Sequence, residues 1–388
     1  MPVSIGQAEI PMPLGAYVHV PFCLSRCGYC DFNTYTATEL QRDGTTVSVV
    51  NYREYAQQEI RWSAQQMTHI RPISTVFFGG GTPTVLAAQD LVSLLQELKD
   101  TYGLTLDAEV TTEANPDSVD LDYLMTLHAG GFTRISFGHQ SSAPKVLNYL
   151  ERTHTSGRTW QAVQWAKEAG FQHISVDLIY GSPVETDEDL AATLREVIAA
   201  DVDHVSAYSL IVETGTKLAH NITRGVVEAP SDDVAADRYS IIDRELTQAG
   251  FAWYEVSNWA RDGGECWHNL GYWRSHDWLG IGPGAHAYTD SVRSWNIKHP
   301  AAWAAALDSG RGPRLDCESI TQAQAVREHI MLGLRLREGL SRTHLSESAL
   351  SQAQIAIAEG FLELSNDRYV LTDYGRLWAD ALVARLWD

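Results

Sequence analysis

The sequence predicts an α/β fold in which parallel strands form a partial (β/α)6, TIM-like barrel, followed by a small helical, winged-helix-like domain. Six segments rich in β-branched and aromatic residues are interpreted as strands, and amphipathic helical patterns lie between them. Six such units in succession favour an open barrel with a parallel sheet. The predicted strands are 16–21, 74–80, 108–114, 133–138, 173–181 and 204–211.

Helical patterns follow the predicted strands. Apolar residues recur at helical spacing from residue 91 to 102, and a second such pattern runs from 190 to 198. Thr186 and Asp189 have the spacing of a capping box at the start of the second helix, and Gly250 is placed to end a later one. Each helix would lay an apolar face on the sheet, so the loops after the strands would carry the functional residues.

The chain divides into three predicted regions: a barrel core over residues 1–225, a tryptophan-rich extension over 226–308 and a helical domain over 309–388. Within the first region, the polar segment 36–51 is interpreted as a surface loop. The third region has the pattern of a winged helix, but its acidic residues outnumber its basic ones. Because DNA binding needs a basic face, we interpret this region as a packing or lid element.

Composition and charge exclude several classes of protein. The 388 residues include 29 Lys and Arg against 49 Asp and Glu, a net charge of −20, so attraction to nucleic acid or to an anionic membrane is not expected. The sequence has neither a leader-like N-terminus nor an apolar run of the ~20 residues that a membrane helix needs. A cytoplasmic protein is expected, in which clustered cysteines more often bind metal than form disulfides.

Three of the five cysteines lie in the segment YVHVPFCLSRCGYCDF, residues 17–32, just after the first predicted strand. Cys23, Cys27 and Cys30 are separated by three and two residues, and Gly28 lets the backbone turn tightly between them. Thiolates ligate iron–sulfur clusters, usually four to a cubane, so three would leave one iron open to a substrate or cofactor. A structural zinc with His19 as fourth ligand and a chance group of thiols are the alternatives.

Glycines and polar residues also occur where later strands end. The glycines of GGGTP, residues 79–83, would let the backbone approach a ligand closely. Glu113, at the end of the third strand, is placed to accept hydrogen bonds from a ribose. Each such residue alone could be structural, whereas their common position at one edge of the barrel favours a shared cofactor pocket. The polar residues in question are Glu113 and Gln140, which end the third and fourth strands, Arg152, which lies in LERTHT, and Asp177, which lies within the fifth strand.

The cysteine spacing resembles that of the radical S-adenosylmethionine superfamily, in which the open iron is chelated by the methionine moiety. With FFGGGTP, TEANP, SFGHQS, RTH and DLIYG, the segment resembles the family of oxygen-independent coproporphyrinogen dehydrogenase and its relatives, above all the HemW-type haem chaperones. These motifs cover the barrel, and the C-terminal segment is similar to the family's small helical domain. The resemblance implies a 4Fe–4S cluster on the three cysteines and S-adenosylmethionine as cofactors.

The resemblance also assigns residues to the cofactor. Tyr29 would lie near the adenine, whereas His139 and Glu151 depart from the aliphatic residue and the glycine that are usual at their positions, which disfavours a second S-adenosylmethionine site. Three residues match positions that contact the cluster-bound S-adenosylmethionine: Tyr17, Gly80 and Glu113. Five match positions that line the remaining pocket, including the dehydrogenase's second site: Gly81, Thr82, Gln140, Arg152 and Asp177.

Two features favour a chaperone over the dehydrogenase. The dehydrogenase pattern has a fourth cysteine two residues after the third, where this chain has Phe32, and it has a longer N-terminal arm. In addition, the segment 266–288 resembles the chaperones' H-N-x-x-Y-W signature. The matching residues are His268, Asn269, Tyr272 and Trp273.

The same segment predicts a haem site. Imidazole is a common axial ligand of haem iron and aromatic walls suit a macrocycle, so His268, with Tyr272 and Trp273, is the candidate. The alternative is a tryptophan-rich core that contains a hydrogen-bonded histidine. Cys266 is either a thiolate ligand or simply a small buried residue, and Cys317 is interpreted as structural.

The predicted function is that of a haem chaperone, which binds haem, the cluster and S-adenosylmethionine and passes haem to an apo-haemoprotein. The alternatives are a radical enzyme that acts on a tetrapyrrole, such as the coproporphyrinogen dehydrogenase, and a zinc-stabilised binding module. Reduction of the bound sulfonium would give a 5′-deoxyadenosyl radical, and an electron donor such as a flavodoxin or ferredoxin would be needed if that chemistry occurs. No catalytic residue is assigned, and no nucleic acid is expected as a partner.

Overall fold

A computed structural model describes residues 13–42, 47–155 and 157–387. The sequence-based expectation about the N-terminus concerns residues 1–12, which lie outside the described residues. Numbered along the chain, the strands are β1 (Leu14–Val20), β2 (Phe22–Cys23), β3 (Tyr35–Thr36), β4 (Ile73–Gly80), β5 (Leu104–Ala114), β6 (Arg134–Gln140), β7 (His173–Tyr180), β8 (His204–Ser209), β9 (Ala252–Glu255), β10 (Asn258–Ala260), β11 (Asp277–Ile281), β12 (His286–Thr289), β13 (Val292–Asn296), β14 (Arg314–Ser319), β15 (Leu340–Ser341), β16 (Leu362–Ser365) and β17 (Arg368–Leu371).

Helices connect most of these strands, with short 3-10 turns at Pro83–Val85, Pro116–Ser118 and Arg342–His344. The α-helices are α1 (Ala37–Arg42), α2 (Tyr52–Gln65), α3 (Ala88–Tyr102), α4 (Leu121–Ala129), α5 (Pro144–Tyr149), α6 (Arg158–Ala169), α7 (Asp187–Ala199), α8 (Lys217–Thr223), α9 (Asp232–Gln248), α10 (Trp267–Trp273), α11 (Pro300–Asp308), α12 (Gln322–Gly333), α13 (Glu347–Ala358), α14 (Asp373–Arg376) and α15 (Ala379–Leu386).

The predicted α/β class and open barrel are confirmed. The six predicted strands correspond to β1 and β4 to β8, which pair side by side in parallel. The capping box also forms, because the Thr186 side chain accepts from the Asp189 amide while the Asp189 side chain accepts from the Thr186 amide. In the described residues the sheet has two free edges, β14 and β9, so it does not close.

The tryptophan-rich extension contributes strands that the sequence did not predict. Strand β11 pairs in parallel with β1, and β12, β13 and β14 continue the sheet beyond it in antiparallel order. On the other side, β10 and β9 extend the sheet past β8. The six barrel strands are therefore the middle of one twelve-stranded sheet, which the extension lengthens on both sides.

The segment 36–51 is not a loop throughout. Helix α1 occupies Ala37–Arg42, so the loop prediction was wrong there, and its Leu40 is buried against the barrel core. Residues 43–46 lie outside the described part.

The outer helices pack on the barrel through a continuous apolar core that includes Val18, Phe78, Leu94, Val176 and Trp259. A separate apolar cluster forms the C-terminal domain, where α12, α13 and α15 pack on the three-stranded sheet β15–β17–β16. The predicted region bounds stay predictions, and β14, in the third region, pairs with β13 of the second. Among the helices of the described residues, none has the length and apolar character required to cross a bilayer.

Candidate functional site

A cavity of about 520 Å³ lies inside the open barrel, within the range typical of ligand pockets. Most of the sequence-predicted site residues line this cavity, although they are widely separated in the chain. Trp273 does not line it, and instead packs against Tyr254 and Leu336. The predicted residues that do line it are Tyr17, Cys23, Cys27, Tyr29, Cys30, Gly80, Gly81, Thr82, Glu113, Gln140, Arg152, Asp177, His268, Asn269 and Tyr272.

The cysteine loop follows β1 and is held against the mouth of the cavity by its backbone. The Gly28 amide donates to the Leu150 carbonyl at 3.1 Å, and the Gly28 carbonyl accepts from the Leu218 amide at 2.8 Å. The hydroxyl of Thr82 lies 3.9 Å from Cys23 Sγ, and Arg152 Nη1 lies 3.7 Å from Cys27 Sγ. The three thiols are thus presented on one loop, with a cation beside one of them.

The donor set fits a cubane better than a single zinc ion. His19, the proposed fourth zinc ligand, has both ring nitrogens engaged, with the Tyr17 hydroxyl at 3.0 Å and the Asn33 carbonyl at 2.9 Å. Within residues 13–42, 47–155 and 157–387, no three His, Cys, Asp or Glu side chains converge on one ion. A cubane does not need such convergence, because each thiolate binds a different iron.

Glycines at the end of β4 let the backbone run close to the cysteine loop. Gly80 has φ of +107°, and a Cβ there would overlap the His19 imidazole. The Gly81 amide donates to the Val20 carbonyl at 2.8 Å, and the Thr82 amide donates to Phe22 at 2.7 Å. The chain after β4 is therefore packed on the chain after β1, which brings GGGTP to the cavity wall.

Two half-buried carboxyl groups face the cavity. Glu113 Oε2 accepts from the Gly80 amide at 3.2 Å, and Asp177 Oδ1 accepts from the Ser136 hydroxyl at 2.9 Å. Burial, followed by the nearby Asp177, raises the pKa of Glu113 to about 8, and burial raises the pKa of Asp177. Because the ionised forms lack a full set of partners, this wall favours a ligand that brings a cation or hydroxyl groups.

Gln140 and Arg152 approach the cavity from the end of β6 and the loop after α5. Gln140 has φ of +68° at a register shift between β6 and β7, so a bulge turns its side chain inward. Arg152 Nη2 donates to the Gly138 carbonyl at 2.8 Å. Backbone strain at a non-glycine residue of this kind is typical of functional positions.

Three polar atoms on the cavity wall are buried without a hydrogen-bond partner in the described residues: Arg152 Nε, Arg134 Nη1 and Thr111 Oγ1. Thr111 and Arg134 are register partners on β5 and β6. Since buried polar atoms are nearly always hydrogen-bonded, a polar ligand or water is expected at these positions. The cavity is therefore suited to a polar cofactor as well as to a cluster.

Thr111 and Arg134 were not identified from the sequence. The signal was present, because alternation along the predicted strand 133–138 puts Arg134, Ser136 and Gly138 on one face. Polar residues at alternate positions of a buried parallel strand indicate a lined cavity, and all three residues line this one. The strand assignment alone did not say which face was the inner one.

The H-N-x-x-Y-W motif forms α10, which lies against the inner side of the barrel. Its first turn is held by Glu109, whose carboxylate accepts from the Trp267 and His268 amides at 3.0 and 2.9 Å and pairs with Arg134 Nε at 3.1 Å. Cys266 Sγ also lies 3.4 Å from Glu109. Cys266 is buried, whereas Cys317, expected to be structural, is exposed on the edge strand β14.

The His268 imidazole is buried and hydrogen-bonded at both nitrogens. Nδ1 lies 2.9 Å from the Thr75 hydroxyl, Nε2 lies 2.9 Å from the Tyr272 hydroxyl, and the ring stacks on Phe77 at 5.3 Å. Burial lowers the pKa of His268 to about 3, so the ring is neutral. Ligation of iron through Nε2 would require the hydrogen bond to Tyr272 to break.

Comparison with known proteins identifies the family. The sequence matches the Radical SAM superfamily over residues 17–197 and the HemN C-terminal domain over residues 320–378. It is 46% identical to "Heme chaperone HemW" of Mycobacterium tuberculosis (strain H37Rv) over 387 residues, which covers 99% of this chain and 98% of that protein. The chain belongs to the HemW family. The sequence-based resemblance is thereby confirmed.

Other members of the HemW family and a solved structure agree with this assignment. The chain is 32% identical to "Heme chaperone HemW" of Escherichia coli (strain K12), over 96% of this chain and 97% of that protein. The solved structure of coproporphyrinogen III oxidase (HemN) from Escherichia coli superimposes with a TM-score of 0.83 at 23% identity, covering 97% of this chain and 90% of that one, which shows a common fold. Membership of the radical SAM superfamily implies a 4Fe–4S cluster and S-adenosylmethionine.

Proposed function

We propose that this protein is a haem chaperone, which binds haem and delivers it to apo-haemoproteins while a 4Fe–4S cluster and S-adenosylmethionine occupy the barrel cavity. The observation that carries the proposal is the full-length 46% identity to a protein named as a haem chaperone. The cytoplasm, where thiols stay reduced, is the proposed location. An apo-haemoprotein is the acceptor, and a flavodoxin or ferredoxin would be the electron donor if radical chemistry occurs.

The cavity residues support the cofactor assignment. Cys23, Cys27 and Cys30 would hold the cluster, and Arg152, beside Cys27 Sγ, would offset its negative charge. Glu113, fixed by the Gly80 amide, would accept hydrogen bonds from the ammonium or ribose groups of S-adenosylmethionine. When bound, cluster and cofactor together supply one-electron cleavage of a carbon–sulfur bond.

The remaining pocket residues would position the cofactor and exclude water. Tyr29 packs among apolar side chains that include Val146, Ile179 and Leu210, which suits a position beside an adenine. Gln140, at the end of β6, and Asp177, within the neighbouring β7, present polar groups to the cavity, and Gly81 and Thr82 form the wall beside the cysteine loop. Tyr17 contributes a hydroxyl that is already bonded to His19.

A radical enzyme that acts on a tetrapyrrole is the second candidate. It is favoured by Arg134 Nη1 and Thr111 Oγ1, two atoms of cavity-lining residues that lack a hydrogen-bond partner in the described residues and would bind polar groups of a substrate. The coproporphyrinogen dehydrogenase itself is disfavoured, since Phe32, at the position of its fourth cysteine, is an exposed side chain. An anaerobic assay for conversion of coproporphyrinogen to protoporphyrinogen separates the candidates, because product formation would contradict the chaperone assignment.

The chaperone proposal is tested by spectral titration of anaerobically reconstituted protein with haem, followed by mixing with an apo-haemoprotein. We expect a saturable haem spectrum and transfer of that spectrum to the acceptor. A wild-type chain that shows no tight haem spectrum would end the proposal. A His268→Ala variant, titrated in parallel, tests whether that imidazole ligates the iron or, as its two hydrogen bonds suggest, supports the barrel wall.

The cluster assignment has its own test. Iron, acid-labile sulfide and visible absorbance are measured on anaerobically purified wild type and on single serine variants of the three cysteines. We expect each substitution to remove the cluster absorbance, whereas Cys317→Ser, a matched change at an exposed cysteine, leaves it unchanged. A zinc-stabilised module would instead contain zinc and no sulfide.

A further inference from the structure

The sheet beyond β1 continues the inner face of the barrel into the open. Tyr17, which lines the cavity, is the register partner of Gly280, and Gly15 is the partner of Trp278. Paired residues of neighbouring strands point to the same face, and so do residues two apart along a strand. Trp278 on β11 therefore lies on the same face of the sheet as the cavity.

The same reasoning extends across the next two strands. Trp278 is the register partner of Tyr288 on β12, and His286, two residues before Tyr288, is the partner of Trp295 on β13. These four side chains, here called the aromatic shelf, are half-buried or exposed, with His286 the exposed one. Three neighbouring strands span about 10 Å across the sheet, and two alternate positions span about 7 Å along a strand, so the aromatic shelf can support a flat macrocycle.

Ring contacts show that the aromatic shelf is continuous with the cavity. The rings of Trp278 and Tyr288 are 5.4 Å apart between centroids, and those of His286 and Trp295 are 6.0 Å apart and stacked. Tyr272, which lines the cavity, contacts Trp278 edge-on at 4.9 Å. A flat aromatic ligand could therefore lie beside the cofactor cavity without entering it.

His286 is the imidazole on this face that is available to a metal. No residue in 13–42, 47–155 or 157–387 is hydrogen-bonded to the His286 ring. In His268, by contrast, both ring nitrogens are hydrogen-bonded. Burial, and then the charges of Lys298 and Arg293, lower the pKa of His286, which leaves the ring neutral and able to bind a metal.

Cations border the aromatic shelf where carboxylate groups of a ligand would lie. Lys298 is exposed, and Arg293 lies over the Tyr288 ring at 6.0 Å while it pairs with Glu318 and Glu328. Because Arg293 is already neutralised by two carboxylates, Lys298 is the cation that would pair with such a carboxylate. A planar aromatic face, an imidazole without a hydrogen bond and an adjacent lysine together match an iron porphyrin with its acidic side chains.

We propose that haem binds on the aromatic shelf, with the His286 imidazole as an axial ligand of the iron. The macrocycle would cover the rings beside His286, and Lys298 would pair with a propionate. This inference rests on the proposed haem chaperone function and names the site that the function would use. Haem would thus be carried outside the barrel, next to the cofactor cavity, where an acceptor protein can reach it.

The test is haem titration of the full chain followed by Soret absorbance and resonance Raman spectra, on wild type, His286→Ala and His276→Ala. His276 is a half-buried histidine of the same segment and serves as the matched control. We expect at least tenfold weaker binding and an altered axial-ligand spectrum for His286→Ala, restoration of the spectrum by added imidazole, and wild-type behaviour for His276→Ala. Cluster absorbance and urea midpoint establish that His286→Ala is folded.

The outcomes separate this inference from the function on which it rests. If wild type binds haem and His286→Ala binds it with the same affinity and spectrum, the assignment of His286 is wrong while the chaperone function stands. If folded, cluster-containing His268→Ala alone loses the axial-ligand spectrum, the shelf is overturned in favour of the motif histidine. If wild type binds no haem, both proposals fail together.

Discussion

Replacement of Glu113 by Gln should stabilise the protein in the absence of S-adenosylmethionine, and increasingly so as the pH rises. Glu113 is half-buried on the cavity wall, and in the described residues its carboxyl group has one hydrogen bond, from the Gly80 amide. Burial and the neighbouring Asp177 raise its pKa from 4.5 to about 8. The glutamine amide is uncharged and its oxygen can still accept from Gly80.

The sign and size of the effect follow from the raised pKa. Below pH 4.5 the group is protonated in both folded and unfolded protein, and its contribution to stability is fully present. As pH rises through 8 the folded protein must bury an anion, so that contribution is lost. At about 1.4 kcal/mol per pH unit, the wild type should lose about 3.5 kcal/mol between pH 5 and pH 8 that Glu113→Gln does not lose.

Urea unfolding of cluster-loaded protein at pH 5, 6.5 and 8, without S-adenosylmethionine, measures this difference. Glu168→Gln, at an exposed site on α6, controls for the change of side chain. Added S-adenosylmethionine should reverse the order at pH 8, because its ammonium pairs with the ionised Glu113 but not with the amide. If the free energies of unfolding of wild type and Glu113→Gln change with pH in the same way, the reasoning is refuted, because Glu113 would then not have a raised pKa in the folded protein.

Three further predictions concern the frame of the site. Arg376→Met should destabilise the protein by about 3 kcal/mol, because it leaves the largely buried Asp243 carboxylate of α9, now 2.7 Å from the Arg376 guanidinium, without its cation. Urea unfolding measures the loss. The double variant with Asp243→Asn should lose less stability than the two single variants added together. Glu151→Gly should change the free energy of unfolding by less than about 1 kcal/mol and keep the cluster absorbance, because the φ of +52° at this position suits glycine and the lost ion pair with Lys217 is partly exposed. Loss of the cluster would show that this side chain has a role in the site. Gly80→Ala should abolish cluster incorporation through overlap with the His19 imidazole, whereas Gly103→Ala, also at positive φ but with open space around it, should retain the cluster absorbance.

The placement of the motif histidine has a consequence for how the family signature is understood. His268 is hydrogen-bonded to Thr75 of β4 and to Tyr272 of its own helix. Asn269 Nδ2 lies 3.3 Å from the Tyr254 hydroxyl of β9. In this arrangement the signature fixes α10 across the inner side of the sheet. The aromatic shelf, which follows the signature in the chain, is the separate surface on which we propose that haem binds.

Local sequence was sufficient for the strands of the barrel and for the helix cap at Thr186. Short runs of β-branched residues, the Thr186 capping box and the three-cysteine spacing depend on neighbours within a few residues, and the structure has these strands and this cap close to the predicted positions. Because parallel strands end at a common edge, Glu113, Gln140 and Asp177 could be placed together before any coordinates.

The extension could not be resolved in the same way. Strands β11 to β14 contain tryptophan, glycine and charged residues without a clean alternation, and the pairing of β11 with β1 joins residues more than 250 positions apart. Sheet register at that separation is decided by packing of the whole core, not by local preference.

By itself, the sequence determined the strands of the barrel and their order, and it predicted which residues would hold the cofactors, because strand period and cysteine spacing are local properties. Only the tertiary structure decided that both nitrogens of His268 are hydrogen-bonded, that Arg134 and Thr111 face the cavity, and that His286 lies exposed beside Trp295. Those facts depend on which side chains, distant in the sequence, come into contact across strands, so the hydrogen bonding and burial of each residue are fixed only in the folded chain.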